Sequence, residues 1–396
     1  MPHSRSLNKI LLPGPPLQND LTLVLSNWRR YRNVFCTDII KIFRQIAVHK
    51  DDQDFQRIIW IPHEGGEPTE YRLKTITYGM ACAPYLSIRT LHQLVKDKGS
   101  RYPKGARCLC QQTFVNDIFG GADQLEEAYN ERDELISLLS LAEFDLDKCE
   151  FLLDRAETPT NPTKRSISFC ISRLFDPLGW ISPVTVVGKI YLQDLWLAKV
   201  GWDEILTGQH LTKWKNYHAS LRALNEIHVE RWLRLFTNYS AELHGYADAS
   251  SRAYAAVIYV RSTLENGDVQ INLVAAKAKV SLIKTVSVPN LELCGATLLV
   301  RLLTHVRQLE FLKNLPVTAW LDSQITLSWI KEHPSKWKQF VANRVSMIQT
   351  QLPEARWRYV PTKQNPTGSG HPRNESWRAF GVDTMVVRTA LAIAIA

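Results

Sequence analysis

The sequence has few of the features that mark secreted or membrane proteins. Its first ten residues, MPHSRSLNKI, contain no apolar signal core, and the apolar run ALAIAIA at the C-terminus is far too short to cross a bilayer. No internal repeat or low-complexity tract is visible. We therefore expect a soluble, intracellular protein of the cytoplasm or nucleus that has no membrane partner.

Cysteine is scarce and odd in number, with 7 in 396 residues. An odd, scattered set does not form a disulfide framework and fits a reducing compartment. Cys108 and Cys110 are separated by one residue, and no second ligand pair follows at zinc-finger spacing. We interpret these two cysteines as neighbours in a strand.

Charge, in contrast, is abundant and unbalanced. The chain has 48 Lys and Arg against 39 Asp and Glu, which gives a net charge of +9 and a pI near 9.1. This excess favours a polyanionic partner such as nucleic acid, although many basic proteins have no such partner. The hydrophobic content of 45% is enough to bury more than one core, so we expect two or three domains.

Three blocks follow one another along the chain. Residues 20–155 mix short β-rich runs, among them CLCQQTFV, with helical runs, one of which begins after Asp123 as a predicted N-cap. Residues 156–240 open with a Pro/Thr-rich link and continue as Trp-rich helices, in which packing between helices is favoured over stacking on bases. Residues 241–364 begin with β-rich runs and then alternate helix and strand.

Two carboxylates of the first block could hold a metal. Asp38 ends an apolar strand run, and Asp117 lies at the tip of a candidate hairpin. Brought together on adjacent strands, they would offer the hard oxygen ligands that Mg²⁺ prefers. Spacing alone favours the alternative, in which Asp38 caps a strand while Asn116 and Asp117 simply favour a tight turn. Four apolar residues are expected to hold the arms of the hairpin: Phe114, Val115, Ile118 and Phe119.

The third block offers three further carboxylates. Asp248 lies on the first arm of a strand-turn-strand unit, Glu292 lies in the first turn of a predicted helix, and Asp322 ends an apolar strand run. Gly295 would let the helix approach the sheet closely, and Ser323 is a plausible cap for the next helix. In a mixed sheet with helices packed on it, these three acids can converge on one metal-binding edge.

Seven ordered motifs carry a family resemblance. The run from PPLQND to QRIIW, then YRLKTITYGMACAPYLSI, FVNDIFGGAD, RLFDPLGWISPV, LVAAKAKV, PNLELCGA and WLDSQITLSWI resemble the reverse transcriptase and ribonuclease H region of a BEL/Pao-type retrotransposon polyprotein. The resemblance covers about residues 10–366. It implies a multidomain α+β and α/β fold: a palm-like domain at 1–155 with most of its fingers missing, a helical connection at 156–240, and a ribonuclease H-like mixed sheet with helices at 241–370, followed by an unassigned tail at 371–396.

The resemblance also implies roles for single residues. Asp38 and Asp117 match palm aspartates, and Asn116 stands where the first aspartate of the usual pair is found. Phe43, Tyr78 and Gly79 match residues that contact the nucleotide. Cys149 stands where the segment closing the palm commonly has a larger residue. In the ribonuclease part, the first three metal-binding acids are matched one for one: Asp248, Glu292 and Asp322.

The chain departs from the family pattern at two sites. Asn116 replaces a charged ligand by a neutral amide, which binds Mg²⁺ far more weakly. Thr367 and Gly368 stand where the family has Ala and the fourth ribonuclease carboxylate, and Asp383 is a poor substitute. The pattern predicts a truncated, degenerate copy.

Three functions follow from the resemblance. The first is RNA-directed DNA polymerase and hybrid ribonuclease activity with Mg²⁺ or Mn²⁺, which acts on an RNA template, deoxynucleotides and RNA–DNA hybrid. The second is nucleic-acid binding without catalysis. A third, weaker alternative is that the FDPLGWISP region is grouped with the aspartic peptidase of such elements, but the chain contains no Asp-(Ser/Thr)-Gly triplet. The sequence does not predict an oligomeric state.

Overall fold

The computed structural model describes residues 6–148, 161–226, 229–235, 240–263, 266–284 and 286–361. The chain divides into two compact units, residues 1–152 and residues 153–396. Within the described residues, no helix is both long and apolar enough to span a membrane.

The first unit combines helices with a four-stranded antiparallel sheet of order β4-β5-β1-β6 and a separate hairpin, β2-β3. Short 3-10 turns lie at Leu7–Lys9, Ile42–Gln45, Lys50–Gln56 and Gly99–Arg101. The helices and strands are α1 Leu21–Trp28, β1 Asn33–Ile39, β2 Arg57–Trp60, β3 Thr69–Arg72, α2 Ala83–Lys98, α3 Pro103–Gln111, β4 Thr113–Phe114, β5 Asp117–Ala122, α4 Leu125–Ser140 and β6 Leu146–Lys148.

The core of this unit lies between the sheet and helices α2, α3 and α4. Leu135, Leu138 and Leu139 repeat at helical spacing on α4 and are fully buried. They pack in one cluster with Ile39 of β1 and Ile118 of β5. Each such side chain contributes about 1.5–3 kcal/mol of hydrophobic burial. The sheet that carries Asp38 and Asp117 is therefore anchored from one face.

Two local expectations for this unit are wrong. Cys108 and Cys110 lie in helix α3 and not in a strand. The helix forms because Pro103 starts it and Gly105 packs directly on α4, where an added Cβ would come within 2.6 Å of the Leu135 backbone nitrogen. The N-cap of α4 is Gln124, since the Asp123 carboxylate instead accepts a hydrogen bond from the backbone N–H of Arg32.

The second unit contains a five-stranded mixed sheet of order β11-β10-β7-β8-β9. Strand β10 is parallel to both of its neighbours, and β7, β8 and β9 are antiparallel. The helices and strands are α5 Lys164–Ser172, α6 Ser182–Leu197, α7 Gly208–Ser220, β7 Ser240–Ala249, β8 Ala253–Thr263, β9 Val269–Val280, α8 Val288–Val306, α9 Glu310–Lys313, β10 Val317–Leu321, α10 Gln324–Lys331, α11 Gln339–Gln351 and β11 Arg356–Tyr359, with 3-10 turns at Leu221–Glu226 and Pro334–Lys336.

Helix α8 covers one face of this sheet at short range. Gly245 on β7 leaves room for Leu299, since a Cβ there would lie 2.6 Å from a Leu299 methyl group. Gly295 lies against the Asp248 carbonyl, to which an added Cβ would come within 3.2 Å. The expected close approach at Gly295 is confirmed. The apolar stripe of the helix is buried along its whole length: Leu291, Gly295, Leu298, Leu302 and Val306.

The FDPLGWISP stretch packs on the outer strand of the sheet. The Ala276 N–H on β9 donates to the Leu178 carbonyl at 2.8 Å, and the Trp180 indole N–H donates to the Val274 carbonyl at 3.4 Å. Gly179 adopts φ +74°, and a Cβ there would lie 1.7 Å from the Ala276 oxygen. Because β9 has a strand on only one side, this stretch covers part of a free edge, which gives the motif a structural role.

The tryptophans of the helical region differ in their exposure to solvent. Trp214 is buried and stacks on Tyr191 with ring centroids 6.2 Å apart, as expected for packing between helices. Trp196 and Trp202 are exposed by 53% and 42% and meet edge to face. The ammonium of Lys164 lies 4.3 Å from the Trp196 ring centroid. The packing interpretation is confirmed for Trp214.

Candidate metal and nucleic-acid sites

The sheet of the second unit brings Asp248 and Asp322 to the same level. Strands β7 and β10 run parallel with Ala247 opposite Leu321, so the residues that follow, Asp248 and Asp322, are next in register. Ser323 caps α10 as predicted, because its side chain accepts from the Thr326 N–H. This cap turns the chain immediately after Asp322.

Helix α8 supplies the third carboxylate. Glu292 lies in its first turns, one turn before Gly295, where the helix touches the Asp248 backbone. Asp248, Glu292 and Asp322 each place a carboxylate oxygen within 4.8 Å of the others. The predicted convergence of these three acids is thus present in the structure.

Burial and the neighbouring acids raise the pKa values of two of the three carboxylates. Burial and the neighbouring Asp322 raise the pKa of Asp248 to about 7, while the Ala249 N–H, which donates to this carboxylate at 2.8 Å, opposes the shift. Burial, Asp322 and Asp248 raise the pKa of Glu292 to about 8. Without a cation, like charges in a poorly hydrated site cannot all ionise at neutral pH.

The donor set fits a hard divalent cation. Oε2 of Glu292 is buried and finds no hydrogen-bond donor among the described residues, which is a costly state for a carboxylate oxygen. Three carboxylates on separate elements match the oxygen ligands that Mg²⁺ or Mn²⁺ takes. Such a cation would satisfy the orphan oxygen and neutralise the repulsion.

The palm-like sheet pairs the other two acids. Asp38 on β1 lies directly opposite Asp117 on β5. Strand β1 is interior, so Asp38 lies near the end of a strand that has neighbours on both sides. Burial raises the pKa of Asp117 above its usual value. The strand pairing therefore brings Asp38 and Asp117 together, which is one of the two arrangements that the sequence leaves open.

Asn116 occupies the turn beside this pair. Its side-chain amide donates to Oδ1 of Asp38, and its backbone carbonyl accepts a hydrogen bond from the Ile39 N–H at 2.9 Å. An aspartate at this position would have no donor for that contact. Asn116 therefore preserves the turn. Its side-chain N–H also forms a hydrogen bond with an oxygen of Asp38 that could ligate a metal.

The hairpin tip differs from expectation at Val115. The turn consists of Val115 and Asn116, because Phe114 pairs directly with Asp117, so Val115 is not part of an arm. Its φ of +58° is a left-handed conformation that a β-branched residue rarely adopts. The hydrogen bond from the Ile39 N–H to the backbone carbonyl of Asn116 ties the next residue of the turn to β1.

The three predicted nucleotide-contact residues lie together: the rings of Phe43 and Tyr78 are in contact, and Gly79 follows Tyr78 in the chain. Phe43 lies in the 3-10 turn Ile42–Gln45 and meets Tyr78 edge to face, with centroids 5.0 Å apart. Gly79 follows with φ +85°, and its carbonyl accepts from the Asn8 side chain at 2.7 Å. Tyr78 is half exposed and can contact a ligand.

A buried acid of the first unit escaped the sequence analysis. Glu131 of α4 is only 1% exposed; its Oε2 accepts from Arg107 at 2.5 Å and its Oε1 from the Gly121 N–H at 3.1 Å. Its place in the apolar stripe of α4, three residues after Ala128 and four before Leu135, was the available signal.

Several sequence predictions lie outside the described residues. They concern Cys149, the tail 371–396 and the residues of the expected fourth ribonuclease ligand: Thr367, Gly368 and Asp383.

A family comparison supports the reading of the second unit. The model of the Pao retrotransposon-like RNaseH-like domain matches residues 163–323, a range that contains Asp248, Glu292 and Asp322. The resemblance to this retrotransposon family is thereby confirmed for that range. No curated protein matches the chain.

Solved structures share the fold. A foamy viral protease-reverse transcriptase (dRH) in complex with double-stranded DNA has a TM-score of 0.52 at 17% identity over 89% of this chain, and this chain spans 61% of that one. The foamy viral protease-reverse transcriptase in complex with double-stranded DNA has a TM-score of 0.53 at 15% identity, over 91% of this chain and 74% of that one. The foamy viral protease-reverse transcriptase in complex with an RNA/DNA hybrid has a TM-score of 0.50 at 14% identity, over 91% of this chain and 48% of that one. The predicted mixed α+β fold with helices and a mixed sheet is confirmed.

Proposed function

We propose that this chain, whose residues 163–323 match the Pao retrotransposon-like RNaseH-like model, is a retrotransposon-derived polymerase and ribonuclease H fragment that hydrolyses the RNA of RNA–DNA hybrids. In this proposal Asp248, Glu292 and Asp322 form the catalytic site. The carrying observation is that their oxygens lie within 4.8 Å of one another on three separate elements.

The three carboxylates would hold Mg²⁺ or Mn²⁺ next to the scissile phosphate. When bound, the cations supply charge neutralisation and activation of a water molecule. The protein's part is to fix the ligands: β7 and β10 hold Asp248 and Asp322 in register, and Gly295 lets α8 bring Glu292 close. Since Asp248 and Glu292 have raised pKa values, they must lose protons before they can bind a cation, so the activity should increase with pH.

The palm-like unit is proposed to bind template, primer and deoxynucleotide with impaired catalysis. Asp38 and Asp117 would be its metal ligands, and Phe43, Tyr78 and Gly79 would contact the nucleotide. The Asn116 amide bonds to Asp38 in place of a third carboxylate, which reduces the negative charge available for two cations. Phosphoryl transfer at this site should be slower by orders of magnitude than with the aspartate pair.

Binding without catalysis is the second candidate function. The neutral Asn116 and the net charge of +9 favour it, since a basic chain can hold nucleic acid after its chemistry is lost. The peptidase alternative lacks support, since the sequence contains no Asp-(Ser/Thr)-Gly triplet and the FDPLGWISP stretch has a structural role at β9.

A cleavage assay separates these functions. The full chain is incubated with an RNA–DNA hybrid whose RNA strand is end-labelled, with Mg²⁺, with Mn²⁺ or with EDTA. Metal-dependent shortening of the RNA is expected, with no cleavage of the same RNA as a single strand. Binding of the hybrid without any metal-dependent shortening would establish the second function and reject the first.

A further inference from the structure

A second concave surface lies on the helical side of the sheet in the second unit. It is a cleft of about 300 Å³ between helices α8 and α11 and the ends of β8 and β9. None of the five predicted metal-binding acids contributes to it. Nine residues line the cleft: Tyr254, Lys279, Cys294, Thr297, Leu298, Arg301, Asn343, Arg344 and Met347.

The lining carries three positive charges and no carboxylate. Among the residues that the structure describes, neither Lys279, Arg301 nor Arg344 forms an ion pair. Cations that share a small concave surface repel one another, and that repulsion is relieved by an anion. The charge of this cleft therefore points to an anionic ligand.

Two of these cations, Arg301 and Arg344, lie near the Tyr254 hydroxyl. The guanidinium of Arg344 lies 3.5 Å from the Phe340 ring centroid and donates to the Phe340 carbonyl at 2.9 Å, which limits its motion. Burial and Cys294 raise the pKa of the Tyr254 hydroxyl, and the nearby Arg344 and Arg301 oppose this rise. The Arg344 guanidinium is thus held in place at the cleft by contacts within the protein.

The cleft begins beside the carboxylate site. Tyr254 pairs with Ala249, the residue after Asp248, and with Lys279 on its other side. On α8, Cys294 comes two residues after Glu292 and therefore faces nearly the opposite side of the helix. Arg301 lies seven residues further on along the face of Cys294, about 10 Å along the helix axis. One strand of B-DNA carries a charge every 3.4 Å of helix axis, so a duplex whose axis followed the cleft would present roughly three phosphates over this length.

We propose that this cleft binds consecutive backbone phosphates of one strand of the nucleic acid held at the carboxylate site. Arg301, Arg344 and Lys279 neutralise the phosphates, and the Tyr254 hydroxyl and Asn343 amide donate hydrogen bonds to their oxygens. The inference rests on the proposed function and names a substrate contact that positions the strand without reading its bases. Contacts to phosphates give affinity that falls as salt rises.

Salt-dependent binding tests the proposal. Binding of a fluorescein-labelled RNA–DNA hybrid to the full chain is measured in EDTA, so that no cleavage occurs, across a range of salt concentrations. The double variant Arg301→Ala/Arg344→Ala should bind more weakly and have a log–log salt slope shallower by about 2. The control Arg165→Ala/Lys313→Ala removes the same charge from two exposed ion pairs and should keep the slope.

Protection of Cys294 gives a second readout that needs no arginine variant. The thiol is partly exposed in the cleft, so an alkylating reagent followed by mass spectrometry of its peptide reports occupancy. The hybrid should slow its modification. Protection by poly-glutamate but not by hybrid would assign the cleft to an acidic peptide and overturn the proposal.

The outcomes separate the two proposals. An unchanged slope in the double variant of a chain that binds hybrid overturns the cleft assignment alone. A shallower slope in a chain that does not cleave supports the cleft and rejects the ribonuclease. A chain that does not bind hybrid at all overturns both.

Discussion

The side-chain amide of Asn116 donates a hydrogen bond to Oδ1 of Asp38, the acid that lies opposite Asp117 in the sheet. Asn116 thus places a neutral donor at the position where the usual aspartate pair, with Asp117 as its other member, would carry a negative charge. Turn geometry and metal affinity are therefore separable at this hairpin, since the backbone contact from Ile39 to Asn116 does not depend on the side chain.

The first prediction concerns metal binding at the palm. Asn116→Asp removes the amide donor and adds a carboxylate, so Mn²⁺ should bind there at least about tenfold more tightly, which is about 1.4 kcal/mol. Calorimetric titration in an Asp248→Asn/Glu292→Gln background isolates this site from the other one. The unaltered chain should show little primer extension with either metal; robust extension would contradict the assigned effect of Asn116.

The second prediction concerns hybrid cleavage. Changing an outer-sphere partner of a metal ligand typically costs 10–100-fold, so loss of a direct ligand in Asp248→Asn should slow cleavage by more than about 100-fold. Initial rates with a labelled hybrid measure the effect. Asp268→Asn, which changes an exposed acid in the turn before β9, is the matched control. Equal rates for Asp248→Asn and the unaltered chain would remove Asp248 from the site.

The third prediction is a pH dependence of stability without metal. The pKa values of Asp248 and Glu292 are raised to about 7 and about 8 in the folded protein, whereas carboxyl groups of an unfolded chain ionise near pH 4. Between pH 4 and 8 the folded state holds protons that the unfolded state releases. The stabilising contribution is thus complete below pH 4 and is lost as the pH rises to 8.

Thermal unfolding in EDTA measures this loss. The Tm of the unaltered chain should fall by on the order of 5 °C more between pH 6 and 8.5 than that of Asp248→Asn/Glu292→Gln, which lacks both titrating groups. Mg²⁺ should raise the Tm more at pH 8.5 than at pH 6, because it replaces the protons. Parallel Tm profiles for the two proteins would show that the carboxylates are not coupled.

The fourth prediction concerns Glu131. Glu131→Ala leaves the buried Gly121 N–H without its acceptor and should destabilise the chain by about 2 kcal/mol. Glu131→Gln keeps an acceptor for that N–H and should cost less. Denaturant titration of both variants, with exposed Glu127→Ala as control, measures the difference. A cost for Glu127→Ala as large as for Glu131→Ala would refute the role of burial.

Much of the site formed by Asp248, Glu292 and Asp322 could be predicted from the sequence, because local patterns determine the backbone around these residues. Asp322 directly follows a buried strand, Ser323 is a helix cap, and Gly295 lies in an apolar helical stripe, so each pattern predicts its own backbone. Short segments were less legible. The run around Cys108 and Cys110 alternates like a strand, yet its packing against α4 through Gly105 makes it a helix.

The sequence by itself determined the family resemblance, the mixed fold and the identity of the acids, because these depend on motifs and on hydrophobic periodicity that are local in the chain. Only the tertiary structure decided which groups meet. The register of β7 with β10 brings Asp248 to Asp322, and the packing of α8 on α11 gathers Arg301 and Arg344 from distant segments into one cleft. Long-range pairing depends on how whole elements pack, and no single segment records it.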